Sequence, residues 1–425
     1  MTTTHRPTPV PVTGIGAITS LGLGAEATWQ AVLAGTSGVR QLNDPWATDL
    51  PVRIGAPVTA ELPLERKEAR HMDRCSQFGV VAGREAWQDA GFEGAAGTES
   101  CALDPRRVAA VVGVGVGGLD TTLDQYNVLS GKGARAISPY SVTMLIPSGP
   151  AGHVGLDIGA RGGVHTVVSA CASGSEAVLR GAQLIHAGDA DVVLVVGTEA
   201  AMVPLTIAGF AAMRALSTRN EDPTAASRPF DAERDGFVLG EGGAALVLEH
   251  PDHARARGAQ PRAHFLAGIT TSDSHHVAQP APEAREAARA ISLSLHRAGV
   301  DRDDVTHVNA HATGTPAGDL AEARAYRDSL QASADRVAVS ATKSITGHLL
   351  GAAGALEALL TVRALQERTA PATLNVDTLD DGVELDVVRD RPRPLPPGPS
   401  AAVSSSFGFG GHNVALVFGA EQETG

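Results

Sequence analysis

The run Val167-Val168-Ser169-Ala170-Cys171-Ala172-Ser173-Gly174-Ser175 carries an apolar strand into a thiol, then into small residues that open a helix. It has an echo further along, where Val339-Ser340-Ala341-Thr342-Lys343-Ser344 matches Val168-Ser169-Ala170-Cys171-Ala172-Ser173 at four of its six positions. Both runs follow an apolar stretch and precede an Ala/Gly-rich helical one. Six residues alone are a weak repeat signal, but they suggest that one strand–turn–helix unit occurs twice.

Working outward, short β-rich runs alternate with Ala-rich helical runs, the pattern of a layered α/β domain. Buried strands are expected at 10–18, 108–116, 164–169, 191–197 and 244–249, and again at 263–270, 305–311, 337–342, 401–405 and 413–418. Helices are expected at 173–186, 282–298, 318–330 and 351–366. The polar stretch 250–258 reads as a seam, leaving five strands in each half, 1–258 and 259–425. The Pro-rich run 391–399 reads as an exposed loop.

Composition bounds the rest. At 425 residues, 43 % hydrophobic and 19 % charged, the chain can bury a large core and is not disordered in bulk. With 4 % aromatic residues, that core must be made of Ala, Val and Leu. A net charge of −13 argues against nucleic-acid binding, which needs a basic face. An acidic partner would need a local basic patch. Three cysteines without a CxxC point to a reducing compartment, and the first eleven residues carry no apolar signal core. No run approaches ~18 uninterrupted apolar residues, so no membrane span is expected. The cytoplasm is the expected location.

Cys171 is the candidate nucleophile. A thiol at a helix N-terminus faces free N–H groups and the positive end of the macrodipole, so a lowered pKa is expected. The same N–H groups can hold an oxyanion. A lone cysteine is more often a small buried hydrophobe, and Cys75 and Cys101 are read that way. For Cys171 the strand–turn–helix setting resembles a nucleophile elbow. His311 ends a strand before the loop Ala312-Thr313-Gly314-Thr315-Pro316, and His348 opens a glycine-rich helix. Neutral imidazoles there can donate hydrogen bonds to a thioester oxygen. Lys343, five residues before His348, can fix them or pair with Glu357 or Asp319. A thiol, two imidazoles and an ammonium make the inventory for carbon–carbon bond formation through a thioester.

Two further signals carry little. Gly113-Val114-Gly115-Val116-Gly117-Gly118 fits GxGxxG, but no acidic residue closes a second strand about twenty residues on. Asp273, His275 and His276 have no partners at metal-ligand spacing and read as a polar loop.

Five motifs, in order, resemble the β-ketoacyl-[acyl-carrier-protein] synthases, in particular the synthase II type of fatty acid synthesis. They are 169–174, Arg228-Pro229-Phe230-Asp231 with Gly240-Glu241-Gly242, 311–316, Lys343 to His348, and Phe407-Gly408-Phe409-Gly410-Gly411-His412-Asn413. The resemblance implies a thiolase fold, a duplicated five-layer αβαβα arrangement, and a homodimer. It implies acyl transfer from a carrier protein's phosphopantetheine to Cys171, then decarboxylative condensation with malonyl-carrier protein. No bound cofactor or metal is expected, because the 4′-phosphopantetheine arrives on the acyl carrier protein.

Residue by residue, the resemblance makes His311, His348 and Lys343 catalytic and puts the oxyanion hole at the N–H groups of Cys171 and Phe409. It makes Phe409 the gating aromatic, Thr313 and Thr315 the pantetheine contacts, and Val116 part of the acyl tunnel. Lys67, Arg70, Arg135 and Arg214 match carrier-protein docking positions, the first two within a basic cluster of Arg66, Lys67, Arg70, His71 and Arg74. His412 stands where many relatives have threonine. A second reading is the ketosynthase subunit of a type II polyketide or polyene system, paired with a chain-length factor. A chain-length factor itself is disfavoured by the presence of Cys171, and a degradative thiolase by the absence of a second cysteine near the C-terminus.

Overall fold

The structure is a computed structural model and describes residues 6–398 and 400–420. The outermost residues of both expected halves, and Pro399 of the Pro-rich run, lie outside the described residues.

All ten expected strands form. They are β1 (Val10–Thr19), β2 (Val108–Gly113), β3 (Val164–Val167), β4 (Val192–Glu199), β5 (Gly242–Glu249), β6 (Ala263–Ser272), β7 (Val305–Asn309), β8 (Ala338–Ser340), β9 (Ala401–Gly408) and β10 (His412–Gly419). They hydrogen-bond in the order β8-β7-β9-β10-β6-β1-β5-β4-β2-β3, with β1 and β6 pairing at the centre through Val10↔Phe265 and Val12↔Ala263. Read outward from that centre, the two sides run 1-5-4-2-3 and 6-10-9-7-8. The second is the first shifted by five, so the duplication read from a six-residue echo is a duplication of topology.

Six helices make the remaining layers: α1 (Arg74–Asp89), α2 (Gly149–Ile158), α3 (Ser173–His186), α4 (Arg285–Ala298), α5 (Pro316–Leu330) and α6 (Ala353–Gln366). Helices α1 and α2 cover one outer face, α4 and α5 the other, and α3 with α6 lie between the two half-sheets. This is the five-layer αβαβα thiolase fold.

The period of two along each strand explains the layers. On β4, Val193 and Val195 enter the central core while Val192, Leu194 and Val196 enter the core beneath α1 and α2. On β10, Val414, Leu416 and Phe418 face the central core, and Ala415 and Val417 face α4 and α5. Both strands are therefore apolar on both faces, whereas β7 and β9 also bury polar side chains (His307, Asn309 and Ser404 to Ser406) next to the site. A Cβ at Gly14 or Gly16 would run into the carbonyl oxygens of Ala86 and Ala82, so α1 lies directly on β1.

The differences from expectation are at element ends. Strand β2 stops at Gly113 rather than 116, β3 at Val167, β7 at Asn309 and β8 at Ser340. In each case the chain leaves the ladder to form a turn that carries a site residue or its support. The 250–258 seam holds a short helix, Pro251–Ala256, capped by His250 Nδ1 accepting from Asp252 N–H. Within the Pro-rich run, Arg393–Pro394 pairs with Thr369–Ala370, so it is not wholly loop.

Candidate active site

The nucleophile turn is tight. Ala170 has φ of 51°, the left-handed region, which costs a non-glycine residue on the order of 1 kcal/mol. Ser173 holds the turn closed: its hydroxyl donates to Ala170 O (2.7 Å) and accepts from Ser169 N–H (2.8 Å). Ala172 and Ser173 N–H return to Ser169 and Ala170 carbonyls, and α3 starts at Ser173. Beneath it, Gly113 leaves no room for a Cβ against the Ser173 backbone. Cys171 is thereby turned toward the second half of the sheet, where Gly408 packs against its backbone and the Phe409 N–H reaches its sulfur.

Burial pushes the Cys171 thiol up to about 12, although Lys343 and the Phe409 N–H act in the opposite direction. The lowered pKa expected from a helix terminus is therefore corrected. The first helical N–H groups are spent on the Ser169–Ala170 turn, and desolvation outweighs the dipole.

His311 sits two residues past β7, in a loop held by two buried carboxylates of α5. Glu322 accepts from His311 N–H (2.7 Å) and Ala312 N–H (2.6 Å), and Asp319 accepts from Gly314 N–H (3.0 Å) and Phe230 N–H (2.8 Å). Burial raises both, Glu322 to about 7 and Asp319 to about 6. His348 is held in an isolated backbone bridge to Leu239, its N–H donating to Val238 O (2.8 Å) and its carbonyl accepting from Gly240 N–H (2.9 Å). This is what the Gly240-Glu241-Gly242 motif does locally. The two imidazoles stand edge to face with ring centres 5.4 Å apart.

Lys343 is fully buried behind them, paired with Glu357, and its ammonium donates to His311 Nδ1 at 3.3 Å. The carbonyl of Lys343 accepts from the Ser227 hydroxyl (2.8 Å), beside the Arg228–Asp231 ion pair (3.0 Å). An ammonium on Nδ1 leaves the His311 proton on Nε2, facing the cavity. Burial first, then Lys343, holds both imidazoles well below the usual histidine range, so both are neutral at pH 7.

Cys171, His311, His348, Thr313, Thr315, Arg214 and Phe409 line one cavity of about 500 Å³. The Thr313 and Thr315 hydroxyls are 3.1 Å apart. Lys343 stands behind the wall rather than in it. Val116 does not line this cavity: it is 43 % exposed on the loop after β2, so the tunnel position implied by the resemblance is not met within one chain. Of the basic residues, Lys67, Arg70, Arg135 and Arg214 are exposed. The cluster around Lys67 is smaller than its sequence suggests. Arg74 is tied to Glu241 (2.7 Å) and lies over Phe78, while Glu68 pairs with Arg84 (2.5 Å) instead of its neighbours. The helix there spans only Arg66–Ala69, so the residues are not on one continuous helical face.

Glu322 and Glu199 were not singled out by sequence reasoning. An acid on an Ala-rich helix or at a strand end reads as solvated, and nothing local marks these two as buried. Cys75 and Cys101 are buried free thiols, as expected. Asp273 accepts from Asn413 Nδ2 (2.7 Å) and Ala281 N–H (3.1 Å), ordering a polar loop, and no metal-ligand cluster occurs among the described residues. No helix among them is long and apolar enough to cross a membrane.

Comparison with known proteins agrees with this arrangement. Residues 8–254 match the family model of the β-ketoacyl synthase N-terminal domain, and 264–377 that of the C-terminal domain. The chain is 44 % identical over 415 residues to 3-oxoacyl-[acyl-carrier-protein] synthase 2 of Mycobacterium tuberculosis (strain ATCC 25618 / H37Rv), covering 96 % of this chain and 97 % of that one. A β-ketoacyl synthase from Burkholderia phymatum STM815 superposes with a TM-score of 0.89 at 34 % identity, over 97 % of this chain and 100 % of that one. The ishigamide ketosynthase/chain length factor superposes with a TM-score of 0.87 at 29 % identity, over 98 % and 100 %. With both halves matched in order across the nucleophile, the histidines and the sheet that carries them, the chain belongs to the β-ketoacyl synthase family.

Proposed function

We propose that this chain is a 3-oxoacyl-[acyl-carrier-protein] synthase, an acyltransferase of fatty acid elongation. It joins a Cys171-bound acyl group to the two-carbon unit left when malonyl-carrier protein loses carbon dioxide. The observation that carries the reading is one thiol and two imidazoles on a single cavity, with one imidazole fixed by a buried ammonium.

Acylation begins as the Cys171 sulfur attacks the incoming thioester carbonyl and its proton passes to a neutral imidazole. The carbonyl oxygen becomes an oxyanion held by the N–H groups of Cys171 and Phe409. The carrier thiolate leaves and takes up a proton. Malonyl-carrier protein then places its thioester oxygen against His311 Nε2–H and His348. The bond to its carboxylate breaks, carbon dioxide departs, and the electron pair moves onto that oxygen as an enolate. Neutral donors suit this step because they stabilise the new charge without neutralising the carboxylate beforehand. The enolate carbon attacks the acyl carbonyl, the bond to Cys171 breaks, and the 3-oxoacyl product stays on the carrier.

The phosphopantetheine arm reaches the sulfur past Thr313 and Thr315, whose hydroxyls suit its amides. Phe409 gates that passage. An acidic carrier protein docks on Lys67, Arg70, Arg135 and Arg214, the last of which is at the cavity. Reversal of Lys67 and Arg70 to Glu should raise KM for carrier-bound substrates by about tenfold, as loss of rim charges slows association. KM for a small thioester mimic should not change. An equal effect on both substrates would remove the docking assignment.

Two copies pair through the free edge of β3, where Val164, Val168 and Leu156 are exposed and apolar. A chain-length factor on the same edge is the second reading, favoured by the likeness to a ketosynthase/chain length factor structure. The three free thiols support a reducing, cytoplasmic setting.

A further inference from the structure

Glu199 ends β4 fully buried, and among the described residues its carboxylate pairs with no cation. It is held by backbone alone. Its oxygens accept from Gly115 N–H (2.7 Å), Val116 N–H (3.2 Å) and Gly117 N–H (3.2 Å), all in the loop that follows β2. They also accept from Gly351 N–H (3.2 Å), three residues beyond His348. The two segments come from opposite halves of the chain and touch. A Cβ at Gly351 would collide with the Gly115 nitrogen, and one at Gly115 with a Glu199 oxygen.

Four donors converging on one side chain need two oxygens that only accept. A neutral amide could satisfy them only in part. Burying a carboxylate without a counterion is costly, and burial raises Glu199 to about 7. The structure meets that cost at the point where the loop beneath the nucleophile turn abuts the His348 turn. Leu350, beside Gly351, lines the Cys171 cavity. The titratable groups that feel the Glu199 charge are the Cys75 thiol of α1 and the Cys171 thiol itself.

We propose that Glu199 is a positioning residue for condensation: by clamping the Gly115–Gly117 loop to the Gly351 turn, it sets where the His348 imidazole stands relative to Cys171. The proposal rests on the condensing reaction given above. It assigns to Glu199 no contact with substrate.

Glu199→Gln keeps the shape, removes the charge and turns one acceptor into a donor facing N–H groups. Two readouts separate positioning from mere folding. In the full-length protein, kcat for decarboxylation of malonyl-carrier protein should fall on the order of 10²-fold, the effect of an ångström-scale misplacement. KM for the carrier substrate should stay within about twofold. Alkylation of Cys171 by iodoacetamide, which needs no carrier protein, should become faster above about pH 7, where Glu199 of the parent is ionised, because a negative charge near the thiol is gone. An unchanged kcat overturns the proposal, and so does a loss that only follows the folded fraction.

If Glu199→Gln does not fold, Gly351→Ala tests the same contact with the charge in place. It should lower kcat and leave the alkylation profile as in the parent protein, and a normal kcat there overturns the clamp. Failure of the parent protein to condense would instead count against the proposed function, with the alkylation comparison still reporting on Glu199.

Discussion

Cys171→Ala is expected to abolish formation of 3-oxoacyl product, a loss of at least about 10³-fold, because no acyl group can be held for the enolate to attack. Release of carbon dioxide from malonyl-carrier protein should continue. The groups that stabilise the enolate, His311 Nε2–H and His348, are positioned by Glu322, Lys343 and the backbone of Val238 and Gly240, none of which depends on the sulfur. The turn should survive too, since Ser173 and the left-handed Ala170 set it. Intact-mass analysis for product, beside a carbon dioxide assay, checks both parts. Condensation by the variant would remove Cys171 as nucleophile. Loss of both activities in a folded variant would mean that the sulfur also serves decarboxylation.

Lys343→Ala is expected to be the most damaging single change away from the thiol. Both members of the Lys343–Glu357 pair are buried, so removing the ammonium strands a carboxylate in the interior, at about 3–5 kcal/mol. Glu357 is already raised to about 7 by burial, with Lys343 opposing the shift. Without the ammonium its pKa rises further. The folded form then holds a proton more tightly than the unfolded chain, so the variant should gain stability as pH falls and lose it as pH rises through neutrality.

Decarboxylation should fall as well, on the order of 10²-fold, because nothing then fixes the Nε2–H tautomer of His311. Lys343→Met combined with Glu357→Gln separates the two effects. Melting temperature should largely recover in the double variant while decarboxylation does not. Recovery of both would make the pair purely structural, and an undiminished rate in Lys343→Ala would remove its role in orienting His311.

The fold was legible because buried strands of Val and Ala between glycine-rich turns have few alternatives, and each of the ten expected strands fell where its apolar run indicated, while two-residue strands such as Arg40–Gln41 and Ile54–Gly55 were not foreseen. Strand ends were not legible. The residues directly after Gly113, Val167, Asn309 and Ser340 are still apolar or small, and backbone N–H bonds to Glu199, Ser173, Glu322 and the Thr373 hydroxyl take the chain out of the ladder.

The four central site residues were legible for the opposite reason, since thiol, imidazole and ammonium are rare at the ends of apolar strands. Of their supports, Glu357 was legible as a partner of Lys343, but Glu199 and Glu322 look in sequence like ordinary solvated acids. The expected low pKa of Cys171 failed on burial, which sequence reports poorly for a residue among Ala, Ser and Gly. Arg74 was counted with a basic surface because its partner Glu241 is 167 positions away. Val116 was placed by resemblance, and in the single chain it belongs to a surface loop.

This chain alone supplies both the acyl-holding sulfur and the decarboxylating groups of the proposed reaction. The most direct test incubates the purified protein, with no second subunit, with malonyl-carrier protein and acyl-carrier proteins of graded length, and follows the carrier species by intact mass. The expected product is 3-oxoacyl-carrier protein two carbons longer than each accepted acyl chain, with acylated Cys171 as the intermediate. Acylated Cys171 that accumulates without product would contradict that expectation and assign the missing function to a partner subunit.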